Sequence, residues 1–167
     1  MAKSLINKVI VAVNGSSQSY HAALYSIILA KQYGCTVKAV YVVDTAALKQ
    51  LTMSKFFYKE ESEKYEENLN HDGHKYLQQI SDLARSKGVK IQTEMRKGSP
   101  WAEIIHCAED FEADLIVLGG KEHQYSSMSS VIRNDVASAT NIDIVGNANC
   151  NVLVVREKDV EKKFNMV

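Results

Sequence analysis

The sequence predicts an α/β protein built on a doubly wound, five-stranded parallel sheet in a single domain. Five short apolar runs rich in β-branched residues recur along the chain, and stretches with helical periodicity separate them. The first of them, at residues 9–13, is continuously apolar rather than alternating, which is typical of a strand that is buried on both faces of a parallel sheet. The length of 167 residues is that of one domain with a substantial core.

The first three predicted elements form a β-α-β unit. Residues 9–13 are a buried strand, and the polar turn at residues 14–17 follows it. Apolar side chains in residues 20–28 then recur at helical spacing, and Gly34 is a typical C-terminal stop. Residues 37–43 form the second apolar run. Because a helix separates the two runs, they are expected to pair in parallel.

The middle of the chain contains the third strand between two helices. Residues 45–57 show no clear period, and we expect them to be irregular. Residues 58–87 carry one apolar stripe among many charges, which predicts a long helix that Gly73 kinks or breaks. Residues 89–95 are the third strand. The Gly-Ser-Pro sequence at residues 98–100 begins the next helix, because serine caps helices and proline fits their first position.

The last strands frame a polar loop. Residues 115–118 form the fourth strand, which ends at Gly119 and Gly120. After the loop, a helix of undefined start leads to the fifth strand at residues 152–155. Residues 157–167 are mostly polar, and we expect them to fray.

Charge and cysteine content exclude several classes of protein. Twenty basic residues balance twenty acidic ones, so no net charge attracts nucleic acid or an anionic membrane. No apolar run approaches the roughly 20 residues that span a bilayer. Cys35, Cys107 and Cys150 are too widely spaced for a metal-ligand pair or a disulfide framework, which favours a reduced cytosol. We therefore expect a soluble cytoplasmic protein with no nucleic-acid or membrane partner.

The strand ends indicate where a ligand would bind. In an open parallel sheet, ligands bind beyond the carboxyl ends of the strands, where the strand order reverses. This rule selects residues 14–17, residues 42–44 and the segment that begins at Gly119. Gly15, Gly119 and Gly120 let backbone N–H groups approach an anion, and a helix begins after the first strand. The same glycines serve equally well as tight turns, and the sequence leaves both interpretations open.

The usual catalytic signatures are absent from the sequence. It has no GxxxxGK[ST] phosphate loop, no GxGxxG, no GxSxG and no HExxH motif. His71 and His74 are one helical turn apart, but we expect them on the solvent face of a charged helix rather than on a metal. Cys107 beside His106 is interpreted as a core cysteine, because neighbours on a helix point in different directions. The serines at residues 126–130 are interpreted as a flexible loop, although they could also hold phosphate.

Several blocks of sequence, in the right order, resemble the universal stress protein family from about residue 5 to residue 156. They are VIVAVNGS at 9–16, VYVVD at 40–44, GSP at 98–100, ADLIVLG at 113–119 and ANCNVLVV at 148–155. The resemblance implies a Rossmann-like fold of the adenine nucleotide alpha hydrolase type, with strand order 3-2-1-4-5. It places residues 1–156 in the family's domain and leaves residues 157–167 as a polar C-terminal tail.

The resemblance also implies a set of nucleotide-binding positions at three strand ends. They are Ala12, Val13, Asn14, Gly15, Val42, Leu118, Gly119, Gly120, Ser138 and Ala139. ATP-binding members carry aspartate where this chain has Asn14, which offers hydrogen bonds but no charge for Mg²⁺. The segment from Gly119 to Ser138 is longer than the family's phosphate loop and contains Glu122, so we expect an altered phosphate site. The serine cluster and Arg133 could rebuild an anion site in another geometry.

The family's dimers imply a homodimer through the last strand. The matching residues are Val152, Leu153, Val154 and Val155, and such an apolar edge is an aggregation risk unless another chain covers it. We expect a dimeric stress-response protein that binds and signals to an unknown protein partner, with an altered nucleotide pocket and no catalytic residues. The alternative is an adenine-nucleotide binding module that takes ATP or AMP, with at most slow ATP hydrolysis. A third hypothesis, a redox or metal-linked sensor at Cys107 or the His71/His74 pair, rests on residue type alone.

Overall fold

The structure is a computed structural model, and it describes residues 4–120 and 136–167. The described elements are β1 (Lys8–Val13), α1 (Ser17–Tyr33), β2 (Thr36–Asp44), α2 (Thr45–Met53), α3 (Lys59–Ser86), β3 (Gln92–Gly98), α4 (Pro100–Phe111), β4 (Leu115–Gly119), α5 (Val136–Asn147), β5 (Asn151–Val155) and α6 (Val160–Met166). The serine cluster at 126–130, Glu122 and Arg133 lie outside the described residues.

The strands form one parallel sheet in the order β3-β2-β1-β4-β5. The predicted fold class and strand order are therefore confirmed. β1 is central, and its Val9 lies opposite Val37 of β2 and Leu115 of β4. Because each parallel connection needs a crossover, helices cover both faces of the sheet.

The side chains of β1 alternate between two separate cores. Val9, Val11 and Val13 pack with side chains of α1 and α3 on one face of the sheet. Ile10 and the half-buried Ala12 pack with side chains of α4 and α5 on the other face. Both faces of this strand are thus covered, which explains why its sequence is apolar from Val9 to Val13.

The long helix α3 runs unbroken through Gly73, so the prediction that this glycine breaks the helix is wrong. Gly73 is buried, and a Cβ at this position would overlap the ring of Tyr41 and lie 2.8 Å from Cε of Met95. Close packing of α3 on the sheet therefore explains the glycine better than a change in helix direction does.

The segment after β2 is helical where the sequence predicts irregular structure. Residues 45–53 form α2, and Oδ1 of Asp44 caps it by accepting the backbone N–H of Ala47 at 2.8 Å. Leu48 is the one buried residue of this short helix, so the segment has no apolar stripe to reveal its period. The prediction for residues 45–53 is therefore wrong.

The prediction of a fraying tail after residue 156 is also wrong. The segment contains the short helix α6, whose Val160 and Phe164 are buried in the core that α1 and α3 share. These two residues are one turn apart and lie on one face of the helix. Their burial holds the helix on the protein although its other residues are mostly polar. Nε2 of His21 in α1 lies 3.3 Å from Oε1 of Glu161, a second contact between the two helices.

The edge strand β3 carries a charged network on the face that α4 covers. The guanidinium of Arg96 pairs with Glu94 at 2.9 Å, Asp110 at 2.7 Å and Glu103 at 3.5 Å. The Sγ–H of the fully buried Cys107 donates to Oε2 of Glu94 at 2.8 Å. Burial and this hydrogen bond raise the pKa of Cys107 to about 12, so little reactive thiolate exists near neutral pH. The interpretation as a core cysteine is confirmed.

Replacing Gly73 with alanine is expected to destabilise the protein by about 1–3 kcal/mol, the usual cost of an overpacked core. The same change would stabilise an unobstructed helix interior by ~1 kcal/mol, so a loss would show that the contact with Tyr41 dominates. Gly146→Ala in α5 is the matched control, because among the described residues no atom outside its chain neighbours and its own helix backbone lies within 4 Å of its Cβ position. Urea unfolding measures both variants, and equal stabilisation by the two would contradict this account of Gly73.

Candidate functional site

A cavity of about 710 Å³ lies beyond the carboxyl ends of β1, β2 and β4. The helix that follows β1 packs on one face of the sheet, and α5, which follows β4 in the described chain, packs on the other. A crevice therefore opens between these neighbouring strands, as expected where the strand order reverses. Its volume falls in the range of roughly 300–1,000 Å³ that is typical of small-molecule sites.

Short hydrogen bonds hold the turn from β1 into α1. Oδ1 of Asn14 accepts the backbone N–H of Ser16 at 3.0 Å and its hydroxyl at 2.6 Å. Oγ of Ser16 in turn accepts the N–H of Ser19 at 3.1 Å and caps the helix. Gly15 has a φ of +84°, and the Tyr76 ring lies over it where a side chain would be. The turn is therefore shaped by its own side chains and by α3.

The end of β4 is in close contact with α1, α5 and β5. A Cβ at Gly119 would overlap the backbone carbonyl group of Gln18 in α1. Nδ2–H of Asn141 donates to the carbonyl oxygen of Gly119 at 2.8 Å. The backbone N–H of Gly120 donates to the carbonyl oxygen of Val155 at 2.8 Å. Both glycines therefore serve close packing, and the N–H of Gly120 is engaged by β5 rather than directed at an anion.

The walls of the cavity are apolar in the middle and charged at two places on the rim. Val42 of β2, Leu69 of α3 and Ile104 of α4 contribute to the apolar walls. Asp44 lies at the end of β2, and Arg156 follows the end of β5. This arrangement suits a ligand with a flat apolar part and a polar or anionic end.

Most of the predicted nucleotide-binding residues line this cavity. They are Ala12, Val13, Asn14, Val42, Leu118, Gly119 and Gly120. Gly15 shapes the turn beside the cavity but does not line it, and Ala139 is exposed on α5. Ser138 belongs to α5, and its side chain lies outside the described part of the structure. That these residues bind a nucleotide stays a prediction.

The sequence analysis did not identify several residues that line the cavity and come from other parts of the chain. These residues are Tyr41, Leu69, Pro100, Ile104, Thr140, Asn141, Ile144 and Arg156. The resemblance pointed to the start of α5, and the described residues of that helix that line the cavity include Thr140, Asn141 and Ile144. Arg156 was placed at the boundary of a tail, and no local motif marks it as a site residue.

The other candidate residues lie apart from the cavity. His71 and His74 are exposed on α3, which confirms their placement on its solvent face. Within residues 4–120 and 136–167, no group of three or more potential metal ligands comes together. None of the described helices is long and apolar enough to cross a membrane.

The predicted dimer edge is the outer strand of the sheet. β5 pairs with β4 along one side, and no other described strand lies on its outer side. Its side chains from Val152 to Val154 are half-buried, and Val155 is buried. That a second copy pairs here stays a prediction.

The sequence matches the universal stress protein family over residues 6–156. Universal stress protein MJ0531 from Methanocaldococcus jannaschii is 34% identical over 161 residues, which are 95% of this chain and 87% of that protein. The alignment thus spans nearly the whole of both chains.

Two solved structures share the fold at low sequence identity. A universal stress protein in complex with cAMP is 17% identical with a TM-score of 0.63, and the match covers 92% of this chain and 98% of that one. A universal stress protein family protein from Arabidopsis thaliana with AMP bound has the same identity of 17% and the same TM-score of 0.63, over 92% and 94% of the two chains. The resemblance is confirmed, and the chain belongs to the universal stress protein family.

Proposed function

We propose that this universal stress protein is a stress-response binding protein that holds an adenine nucleotide in the cavity at the strand ends. The observation that carries the proposal is the cavity itself, which has apolar walls and a polar rim at the reversal of strand order. An adenine base requires an apolar slot, whereas ribose and phosphate require hydrogen-bonding groups, and both are present.

Two family members with adenine ligands support this choice of ligand, since one holds cAMP and the other AMP. In this chain, Val42, Pro100 and Ile104 offer an apolar surface for the base. Oδ1 of Asn14 is engaged by Ser16, which leaves the amide nitrogen of Asn14 to face a ribose hydroxyl.

The pocket is better suited to a nucleoside or its monophosphate than to a magnesium-bound triphosphate. Asp44 is the single acidic residue among the described residues that line the cavity, and one of its oxygens already caps α2. Mg²⁺ at phosphate sites is usually held by one or two carboxylates, and Asn14 adds no charge. We therefore propose that the pocket is altered relative to ATP-binding members and that any ATP hydrolysis is at most slow.

Titration calorimetry with adenosine, AMP, cAMP and ATP, with and without Mg²⁺, tests this proposal. We expect AMP to bind to the wild type. Val42→Trp should weaken the affinity for AMP at least about tenfold, or ~1.4 kcal/mol, because the indole ring is larger than the valine side chain and fills the apolar slot. Val89→Trp is the control, since Val89 is half-buried beyond the opposite ends of the strands and does not line the cavity.

Two results would contradict the proposal. One is the absence of binding by all four ligands at millimolar concentration to the folded wild-type protein. The other is equal AMP affinity in wild type and Val42→Trp, which would place the ligand elsewhere on the molecule.

A second candidate function is dimerisation through β5, by which the protein would signal to another protein. The outer side of β5 is apolar and unpaired within the described chain, and such edges favour pairing with another strand. The three cysteines are free, and this together with the balanced charge supports our further proposal that the protein acts in the cytoplasm.

Val152→Lys is expected to convert a dimer into a monomer, because it places a charge on the paired edge strand. Light scattering after size-exclusion chromatography measures the mass of each species. Thr93→Lys on β3, the opposite edge strand, is the matched control and should leave the dimer intact. A monomeric wild-type protein, or a dimer that survives Val152→Lys but not Thr93→Lys, would refute pairing through β5.

A further inference from the structure

The charges around the cavity lie on different strands. Among the described lining residues, Asp44 and Arg156 are the two that carry a formal charge. Asp44 ends β2, whereas Arg156 directly follows β5, and β1 and β4 lie between these two strands. Strands β2 and β5 are therefore three strand spacings apart, a distance of about 14 Å across the sheet. This distance is comparable with the length of an extended nucleoside monophosphate.

Arg156 has no ion-pair partner among the residues that the structure describes. The other two arginines of the described chain are paired: Arg85 with Asp82 at 3.2 Å, and Arg96 with three carboxylates. Arg156 therefore lines the cavity without a carboxylate within ion-pair distance among the described residues. A guanidinium binds phosphate with two parallel N–H donors, which makes it well suited to a terminal phosphate group.

The backbone on both sides of Arg156 is anchored. Val155 before it is buried and accepts the N–H of Gly120 at 2.8 Å, and Val160 after it is fully buried at the start of α6. Nζ of Lys163 pairs with Glu157 in the connection between β5 and α6. The packing of α6 therefore helps to hold the backbone at Arg156, although the arginine side chain itself is exposed.

We propose that Arg156 forms an anion subsite that binds the phosphate of an adenine nucleoside monophosphate at the β5 end of the cavity. This inference rests on the proposed function, because it assigns one end of the same ligand. Asp44 repels phosphate from the β2 end, and the apolar surface of Val42 and Ile104 takes the base there. Arg156 is the one cationic side chain among the described lining residues and matches a single phosphate, so AMP gains affinity over adenosine and further phosphates add little.

Calorimetric titrations of adenosine, AMP and ATP into the full chain and its variants test this subsite. We expect the wild type to bind AMP about tenfold more tightly than adenosine, a difference of ~1.4 kcal/mol. Arg156→Gln should abolish that advantage and leave the affinity for adenosine unchanged. Arg156→Lys keeps the charge but not the two parallel donors, and should retain part of the advantage.

Lys158→Gln is the matched control. It removes one positive charge two positions after Arg156, and Lys158 does not line the cavity. It should bind AMP like the wild type. Circular dichroism and thermal unfolding confirm that each variant is folded, and Arg156→Lys supplies the comparison if Arg156→Gln does not fold.

Each remaining outcome decides against a specific claim. Equal affinity of the wild type for adenosine and AMP overturns the subsite but leaves the nucleotide proposal intact. An advantage of AMP that persists in Arg156→Gln also overturns the subsite, because another group must then hold the phosphate. If neither adenosine nor AMP binds the wild type, the proposed function fails and the subsite fails with it.

Discussion

The site depends on a geometric constraint of the sheet: β1 and β4 are hydrogen-bonded neighbours, but the helices that follow them pack on opposite faces. The crevice between their ends cannot be closed by either helix. At the β4 end, Gly119 lies so close to α1 that a Cβ there would overlap the carbonyl group of Gln18. A side chain at Gly119 would push the first turn of α1 away, so this glycine shapes the site without needing to touch a ligand.

The sequence was most informative where both sides of an element are buried. The apolar runs of β1 and β4 predicted their strands, because a strand that is covered on both faces has to be apolar at nearly every position. It was least informative for α2 and α6, where one or two buried residues decide the structure of a polar segment. Gly73 illustrates a different limit, since the reason for this glycine is Tyr41, a residue of another element.

The same distinction applies to the site. The turn at residues 14–17 and the glycines after β4 could be located from the sequence, because strand ends in this fold class determine where ligands bind. Leu69 and Ile104 reach the cavity only through the packing of α3 and α4 on the sheet, and no local pattern separates them from ordinary core residues. Arg156 could not be located for a related reason, since it lies in a polar segment directly after β5 and no local motif marks it as a lining residue.

The two edges of the sheet differ in chemistry, and this difference bears on how large an assembly could become. On β3, Gln92, Thr93 and Lys97 are exposed beside the ion pairs of Arg96, and solvated polar side chains discourage a further strand from joining there. On β5 the exposed side is aliphatic. Two copies joined across a two-fold axis at β5 would present their polar β3 edges outward at both ends, so growth would stop at a closed pair and would not continue into a fibre.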